Sequence, residues 1–167
     1  MTDSKSEVKV RKMVAADLPR VNEIDRGLKG GGRVTTWPFS FESYWSVYEP
    51  EYTYVAEIND EVVGFLVGYI KPMEGTHTIL RRADMQVIPR TRHQMVGWIE
   101  MMGVPIEWQG KGVGRALVDT FDKECQKYDA LISSLVRMDD KTLADFYKGI
   151  GFRPWETVVY FRPWTKE

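Results

Sequence analysis

The residues best suited to chemistry lie at 101–118. There Met101-Met102-Gly103-Val104-Pro105-Ile106-Glu107-Trp108 runs into Gln109-Gly110-Lys111-Gly112-Val113-Gly114-Arg115-Ala116-Leu117-Val118. An apolar run ends, three glycines fall at alternate positions (Gly110, Gly112, Gly114), and an amphipathic helical pattern starts at once. Glycine lets backbone amides turn outward and lets a ligand approach where a Cβ would block it. Amides at a helix start, aided by the helix dipole, hold anions. The segment reads as a strand, a phosphate-cradling loop and a helix. A plain turn before a helix is the competing reading of the same glycines.

Spacing separates this loop from two better-known phosphate binders. A Walker A loop needs Gly, four residues, then Gly-Lys-Ser/Thr, but Gly110-Lys111 is followed by Gly112, and Pro105 stands where the first glycine belongs. A dinucleotide fingerprint started at Gly110 or Gly112 would put its last glycine at Arg115 or Leu117. What remains is Gln109-x-x-Gly112-x-Gly114. Other chemistry is sparse. Cys125 shares a helical stripe with Leu117, Phe121 and Tyr128 and reads as packing. His77 and His93 lack partners at metal-ligand spacing, and no Gly-x-Ser-x-Gly is present. Loop histidines of this kind could line an acceptor pocket.

The elements that position the loop follow from pattern. Alternation at Val8, Val10 and Met13 predicts an opening strand. Asp17 is a candidate cap for a helix to about Arg26, with Leu18, Val21 and Ile24 as its stripe; Gly27 and Gly30-Gly31-Gly32 are expected to break it. A short aromatic helix is expected over 41–48. Two strands, 52–58 and 61–70, meet at Asn59-Asp60, a tight-turn pair. Residues 71–94 are irregular and carry five basic side chains against Glu74 and Asp84, so they read as an insertion between strands, functional or disordered. A strand over 95–104, a helix over 114–128, a strand over 130–136, a helix capped by Asp139 or Asp140 and running to Gly149, and a last strand over 156–161 complete the order. The repeat Phe152-Arg153-Pro154-Trp155 and Phe161-Arg162-Pro163-Trp164 carries no assigned function.

Composition narrows the classes. The 167 residues suffice for one domain with a core, and 43% apolar with 28% charged residues is ordinary for a globular protein. A net charge of −1 gives no global basic field for nucleic acid. No apolar run approaches the roughly 20 residues of a membrane span, and the polar start (residues 1–7) lacks a signal-peptide core. A lone cysteine cannot form an internal disulfide. A cytoplasmic setting, with neither nucleic-acid nor membrane partners, is therefore expected. Six tryptophans fit a thick core, an aromatic pocket or a partner surface.

The pattern Gln109-x-x-Gly112-x-Gly114 resembles the Q/R-x-x-G-x-G/A signature of the GNAT acetyltransferases, which use acetyl-CoA. A second stretch strengthens the resemblance. Asp140-Lys141-Thr142-Leu143-Ala144-Asp145-Phe146-Tyr147-Lys148-Gly149-Ile150-Gly151-Phe152 is similar to that family's N-x-x-A-x-x-L/F-Y-x-x-x-G-F helix, with Ala144, Phe146, Tyr147, Gly151 and Phe152 matching. Asp140 departs from the usual Asn, which bears on a contact to the coenzyme. The two motifs come in the family's order with one strand between them, and they cover roughly 95–152. The first half follows the family only in its order of elements.

The resemblance implies an α/β (α+β) fold of one domain, with a mixed, mostly antiparallel sheet flanked by helices. The strand ending at Val104 and the strand over 130–136 would run parallel and splay apart. It implies that backbone near Met102 and Val104 pairs with the pantetheine arm of the cosubstrate acetyl-CoA. Gln109, Gly110, Lys111, Gly112, Val113, Gly114 and Arg115 would wrap the pyrophosphate, Lys111 and Arg115 adding charge or merely standing in solvent. No metal is implied.

Acetyl transfer by direct attack within a ternary complex needs a neutral amine, a donor for the oxyanion and a proton for the leaving thiolate. A phenol with a pKa near 10 is protonated at neutral pH. The family often uses the tyrosine at the position of Tyr147 as that acid, although Tyr147 also lies on the stripe of Leu143 and Ile150 where an aromatic simply packs. Some members place a catalytic glutamate in the strand before the loop. Glu100 is the candidate, with the strand parity of Met102 and Val104; an outward-facing polar residue is its alternative. Glu107 reads as a surface residue.

The expected acceptor is a primary amine of a small molecule. An aromatic or apolar acceptor is conceivable from Trp37, Phe39, Phe41 and Trp45. A non-catalytic acyl-CoA sensor, or an enzyme acting on protein N-termini or lysines, are the alternatives. The sequence leaves the oligomeric state open, with a homodimer as one option because dimers are common among similar proteins.

Overall fold

The structure is a computed structural model and describes residues 7–31, 40–48, 50–72, 95–134, 136 and 140–154. The expectations for Trp37 and Phe39, for 73–94 with His77 and His93, for Asp139 and for the strand over 156–161 lie outside these residues.

Five strands form one sheet in the order β1 (Lys9–Lys12), β2 (Tyr52–Ile58), β3 (Glu61–Pro72), β4 (Met95–Gly103) and β5 (Ala130–Ser134). Neighbours are antiparallel except β4 and β5, which are parallel. The mixed sheet flanked by helices is the fold class that the sequence predicts. The β2–β3 hairpin turns where expected. Asn59 (φ 52°) and Asp60 (φ 62°) both take the left-handed conformation that a two-residue turn of this twist requires.

Helices cover both faces of the sheet, so β2 and β3 are buried almost continuously rather than on alternate residues. On one face lies α3 (Val113–Lys127), whose Leu117, Val118, Phe121 and Cys125 pack on Tyr54, Ala56, Ile58, Leu66 and Ile99. On the other lie α1 (Leu18–Gly30) and α2 (Phe41–Tyr48), whose Val21, Ile24, Phe41 and Tyr44 pack on Val55, Phe65, Val67 and Met101. The last described helix is α4 (Lys141–Gly149). Cys125 is packing, as its stripe suggests. It fills the space where a side chain at Gly97 would stand, and burial pushes its thiol up to about 12.

Two local expectations need correction. The glycine at 27 does not end α1, which continues to Gly30. A mid-helix glycine costs about 1 kcal/mol, but the extra turn brings Leu28 onto the core beside Phe65 and Gly103. Nor does the Asp17 side chain cap α1. Residues Ala15–Asp17 form a single 3₁₀ turn, and the carboxylate of Asp17 accepts from the Val14 N–H (2.9 Å) and from both terminal nitrogens of Arg11 (2.7 and 2.9 Å). Arg11 also bonds Glu57 of β2 (2.9 Å from Nε), so this ion group ties the start of α1 to the sheet edge.

Candidate active site

Three pieces of chain meet at one end of the sheet. The first is a fork. Among the described residues, parallel pairing between β4 and β5 runs from Met95↔Ala130 to Ile99↔Ser134, with the Ser134 hydroxyl donating to the Ile99 carbonyl at 3.4 Å. The next residue of β4 is Glu100. On the β3 side Val67 faces Met101 but Gly68 faces Ile99, so Glu100 is the extra residue of a β-bulge. Beyond it, Met101, Met102 and Gly103 pair with β3. Among the described residues no ladder joins their other edge to β5. The expected parallel pairing of the two strands is present, and its last described pair stands just before the bulge.

The bulge overturns the parity argument for Glu100. Ile99 packs on the α3 face and Met101 on the α1–α2 face, although strict alternation would put both on one side. Met102 and Val104 return to the α3 face, whereas the Glu100 carboxylate accepts a hydrogen bond from the Tyr44 hydroxyl of α2 (2.9 Å). Glu100 therefore turns away from the side that Met102 and Val104 occupy. The inserted residue rotates the register by one, which the sequence of β4 alone cannot reveal. Beside it Tyr69 stacks on Trp98 (centroids 6.5 Å apart, planes at 20°). The Tyr69 phenol is pushed up to about 12, first by burial and then by the charge of Glu100. Tyr44 was not among the sequence candidates; the only signal was its place in an aromatic helix.

The second piece is the loop. After Pro105, residues Ile106–Trp108 make a 3₁₀ turn, and Gln109, Gly110, Lys111 and Gly112 follow in solvent. Gly110 (φ +74°) and Gly112 (φ +87°) need the left-handed backbone, yet a Cβ on either would meet nothing within 4 Å. They shape the loop while leaving open space over it. Gly112 is the N-cap of α3 and supplies no side-chain acceptor, so the N–H groups of Val113, Gly114 and Arg115 emerge at an uncapped helix start.

The third glycine has a different reason. A Cβ on Gly114 would stand 3.1 Å from the Phe146 ring, so it admits α4 against α3. The Gln109 side chain folds back, its Nε2 donating to the Val104 carbonyl (2.9 Å). That bond occupies one of the backbone groups expected to pair with a ligand. The Val113 side chain is core, leaving only its amide for a ligand. The Lys111 ammonium sits 4.4 Å over the Trp108 ring, and Arg115 donates to the Gly149 carbonyl at the end of α4 (3.1 Å).

The third piece is α4. Asp140 caps it, Oδ1 accepting from the Leu143 N–H at 2.9 Å, so part of this carboxylate is committed within the chain. Tyr147 is buried in the α3-side cluster, its ring against Phe146 (5.3 Å) and Phe152 (4.9 Å). Among the described residues, no three His, Cys, Asp or Glu side chains gather as a metal would require, and no helix is long and apolar enough to cross a membrane.

A match to the Acetyltransferase (GNAT) family spans residues 19–152. The chain belongs to this family. Its fork, loop and α4 are thus the family's elements, met here in the order the two motifs predict. Over 77 residues the chain is 36% identical to an aminoglycoside N(6')-acetyltransferase type 1 of Stenotrophomonas maltophilia, a match covering 43% of this chain and 48% of that relative, about half its length. The apo aminoglycoside antibiotic 6'-N-acetyltransferase AAC(6')-IG of Acinetobacter haemolyticus superposes with a TM-score of 0.67 at 17% identity, over 95% of this chain and 99% of that one. AAC(6')-Iy in complex with a bisubstrate analogue, CoA-S-monomethyl-acetylneamine, superposes with a TM-score of 0.65 at 16% identity, over 95% and 99%. At these identities the two structures establish the fold this GNAT chain shares with them.

Proposed function

We propose that this protein transfers an acetyl group from acetyl-CoA to a primary amine of a small molecule, by direct attack while both substrates are bound. The observation that carries the proposal is continuity: among the described residues the last β4–β5 pair is Ile99↔Ser134, and from Gly103 the 104–112 segment leads β4 into the uncapped start of α3 at Val113. A long anionic thioester with an amide-bearing arm suits both ends. Its arm finds the unpaired edge of β4 near Met102, and its pyrophosphate finds the N–H groups of Val113, Gly114 and Arg115.

At the fork, Glu100 accepts the proton that the acceptor ammonium must lose, through water. Its half-buried carboxylate, bonded on one oxygen by Tyr44, is kept at the mouth of the gap. Tyr147 returns a proton to the departing sulfur. The neutral amine adds to the thioester carbon, the C–S bond breaks as the tetrahedral intermediate collapses, and the proton left on the new amide nitrogen restores the Tyr147 phenol, through water. Lys111 raises the local positive charge at the loop without leaving the Trp108 ring. The acceptor class we favour is an aminoglycoside-like amino sugar, on the strength of the Stenotrophomonas relative.

The deciding experiment mixes the purified chain and acetyl-CoA with separate panels of aminoglycosides, simple alkylamines and peptides, and follows thiol release with mass spectrometry of the acceptor. One added acetyl group on an amino sugar is the expected result. Coenzyme binding without thiol release on any panel would leave only a carrier-binding module. Peptide acetylation alone would move the acceptor to protein N-termini or lysines.

A further inference from the structure

We infer that Tyr44 is a positioning residue for the Glu100 carboxylate, so that the seating of α2 on the sheet sets the proton acceptor of the reaction. The inference rests on the role proposed above for Glu100. Three observations carry it. Glu100 is the bulged residue of β4, so on the β3 side its backbone has no regular ladder partner to fix it. Its Oε2 accepts from the Tyr44 hydroxyl at 2.9 Å, and among the described residues that is the one side chain bonded to it, leaving Oε1 for a proton. Tyr44 itself is 5% exposed, in the cluster with Phe41, Val55, Phe65 and Met101.

A carboxylate on a bulge would otherwise sample several rotamers. A phenol anchored in the core restricts it to those that keep one oxygen at the Tyr44 hydroxyl and aim the other at the fork. The aromatic stripe of α2 therefore has a task beyond packing. Any shift of α2 would carry Glu100 with it.

The test is a double-mutant cycle on an amine that the parent acetylates. Tyr44→Phe keeps the ring in its cluster, so the thermal midpoint should move by no more than a few degrees and the KM for acetyl-CoA should hold. Turnover should fall about tenfold, the scale of a lost hydrogen bond to a charged group. In a Glu100→Gln background the same change should cost nothing more. An equal loss in both backgrounds would make Tyr44 a packing residue only and overturn the inference while leaving the acetyl-transfer reading intact; so would an unchanged rate for Tyr44→Phe alone. A Glu100→Gln protein at the parent rate would remove the proposed proton acceptor and the inference with it.

Discussion

The two ends of β4 differ in how they are built, and so in how much of their purpose is visible in the sequence. Past Val104 the ligand contacts we propose are chiefly with the main chain. The necessary shapes demand glycine at Gly110 and Gly112, small contact at Gly114, and a fixed helix start. Around Glu100 the proposed site is instead assembled from side chains of other elements: Tyr44 from α2, and Tyr69 from β3 beside Trp98. Main-chain recognition restricts residue type and leaves a motif. Side-chain recognition restricts only geometry, and many sequences can supply the same geometry.

The strongest way to break this comparison is at Gly112. A valine there would have room, since nothing stands within 4 Å of its Cβ, but it would have to hold φ near +87°. That strain is about 1–2 kcal/mol for an L-residue. Relief would turn the amides of the helix start away from the phosphates, and losing two charge-assisted bonds raises the KM for acetyl-CoA about a hundredfold or more. Thermal melting of the same variant should register only the strain. A variant that binds coenzyme normally would show that the left-handed turn serves folding alone. Gly114→Ala is the control, because its new methyl meets Phe146 and should lower stability more than affinity.

Tyr147→Phe comes next. The ring stays between Phe146 and Phe152, so only the hydroxyl is lost. Turnover should drop about a hundredfold, within the range of a removed general acid, with the KM values nearly unchanged. Steady-state kinetics on the same amine decide it, and an unchanged kcat would return Tyr147 to the role of a core aromatic.

The ion group at the sheet edge can be tested through pH. The Arg11 guanidinium, helped by the Val14 N–H and opposed by burial, holds the Asp17 carboxyl below the usual carboxylate range. A carboxyl depressed in the folded state contributes stability that is fully present above its unfolded pKa, about 3.9. That stability is lost as the pH falls through the lower folded value. Asp17→Asn should cost about 1 kcal/mol at neutral pH, since Arg11 is 40% exposed and water screens the pair. It should also flatten the stability profile below about pH 4. Denaturant melts of both proteins from neutral pH down to the acid limb measure this; parallel profiles would show that the ion group contributes nothing to folding.

The same division explains which elements could be read in advance. The hairpin at Asn59-Asp60, the short helix at 41–48 and the Asp140-capped helix were legible because each is fixed by local chemistry. Both glycine turns of the loop were legible for the same reason. The passage of α1 through Gly27 was not, because Leu28 is drawn on by a core assembled from distant strands. The direction of Glu100 was not, because the bulge is a relation between β4 and β3. The partners of Asp17 were not, because an aspartate before a helix suits a cap equally well, and nothing in its spacing shows that the carboxylate turns back to Arg11 and the Val14 N–H six and three residues earlier. The first two failures are places where a non-local contact overrides a local preference.

Arg115 gives the smallest effect and the sharpest distinction between the two styles of recognition. In sequence it stands ready for a phosphate, but in the structure its guanidinium donates to the Gly149 carbonyl, where a cation also suits the C-terminal end of α4. If that is its whole task, Arg115→Ala will change the KM for acetyl-CoA less than about threefold, with little dependence on salt, and move the melting temperature by about 2 °C or less. If it swings to the pyrophosphate when the coenzyme arrives, the KM will rise about tenfold or more at low salt, and the difference will shrink as salt screens it. The first result would leave the main chain, with Lys111, as the anion holder of this loop, and the loop's glycines would then account for the shape of its binding without Arg115.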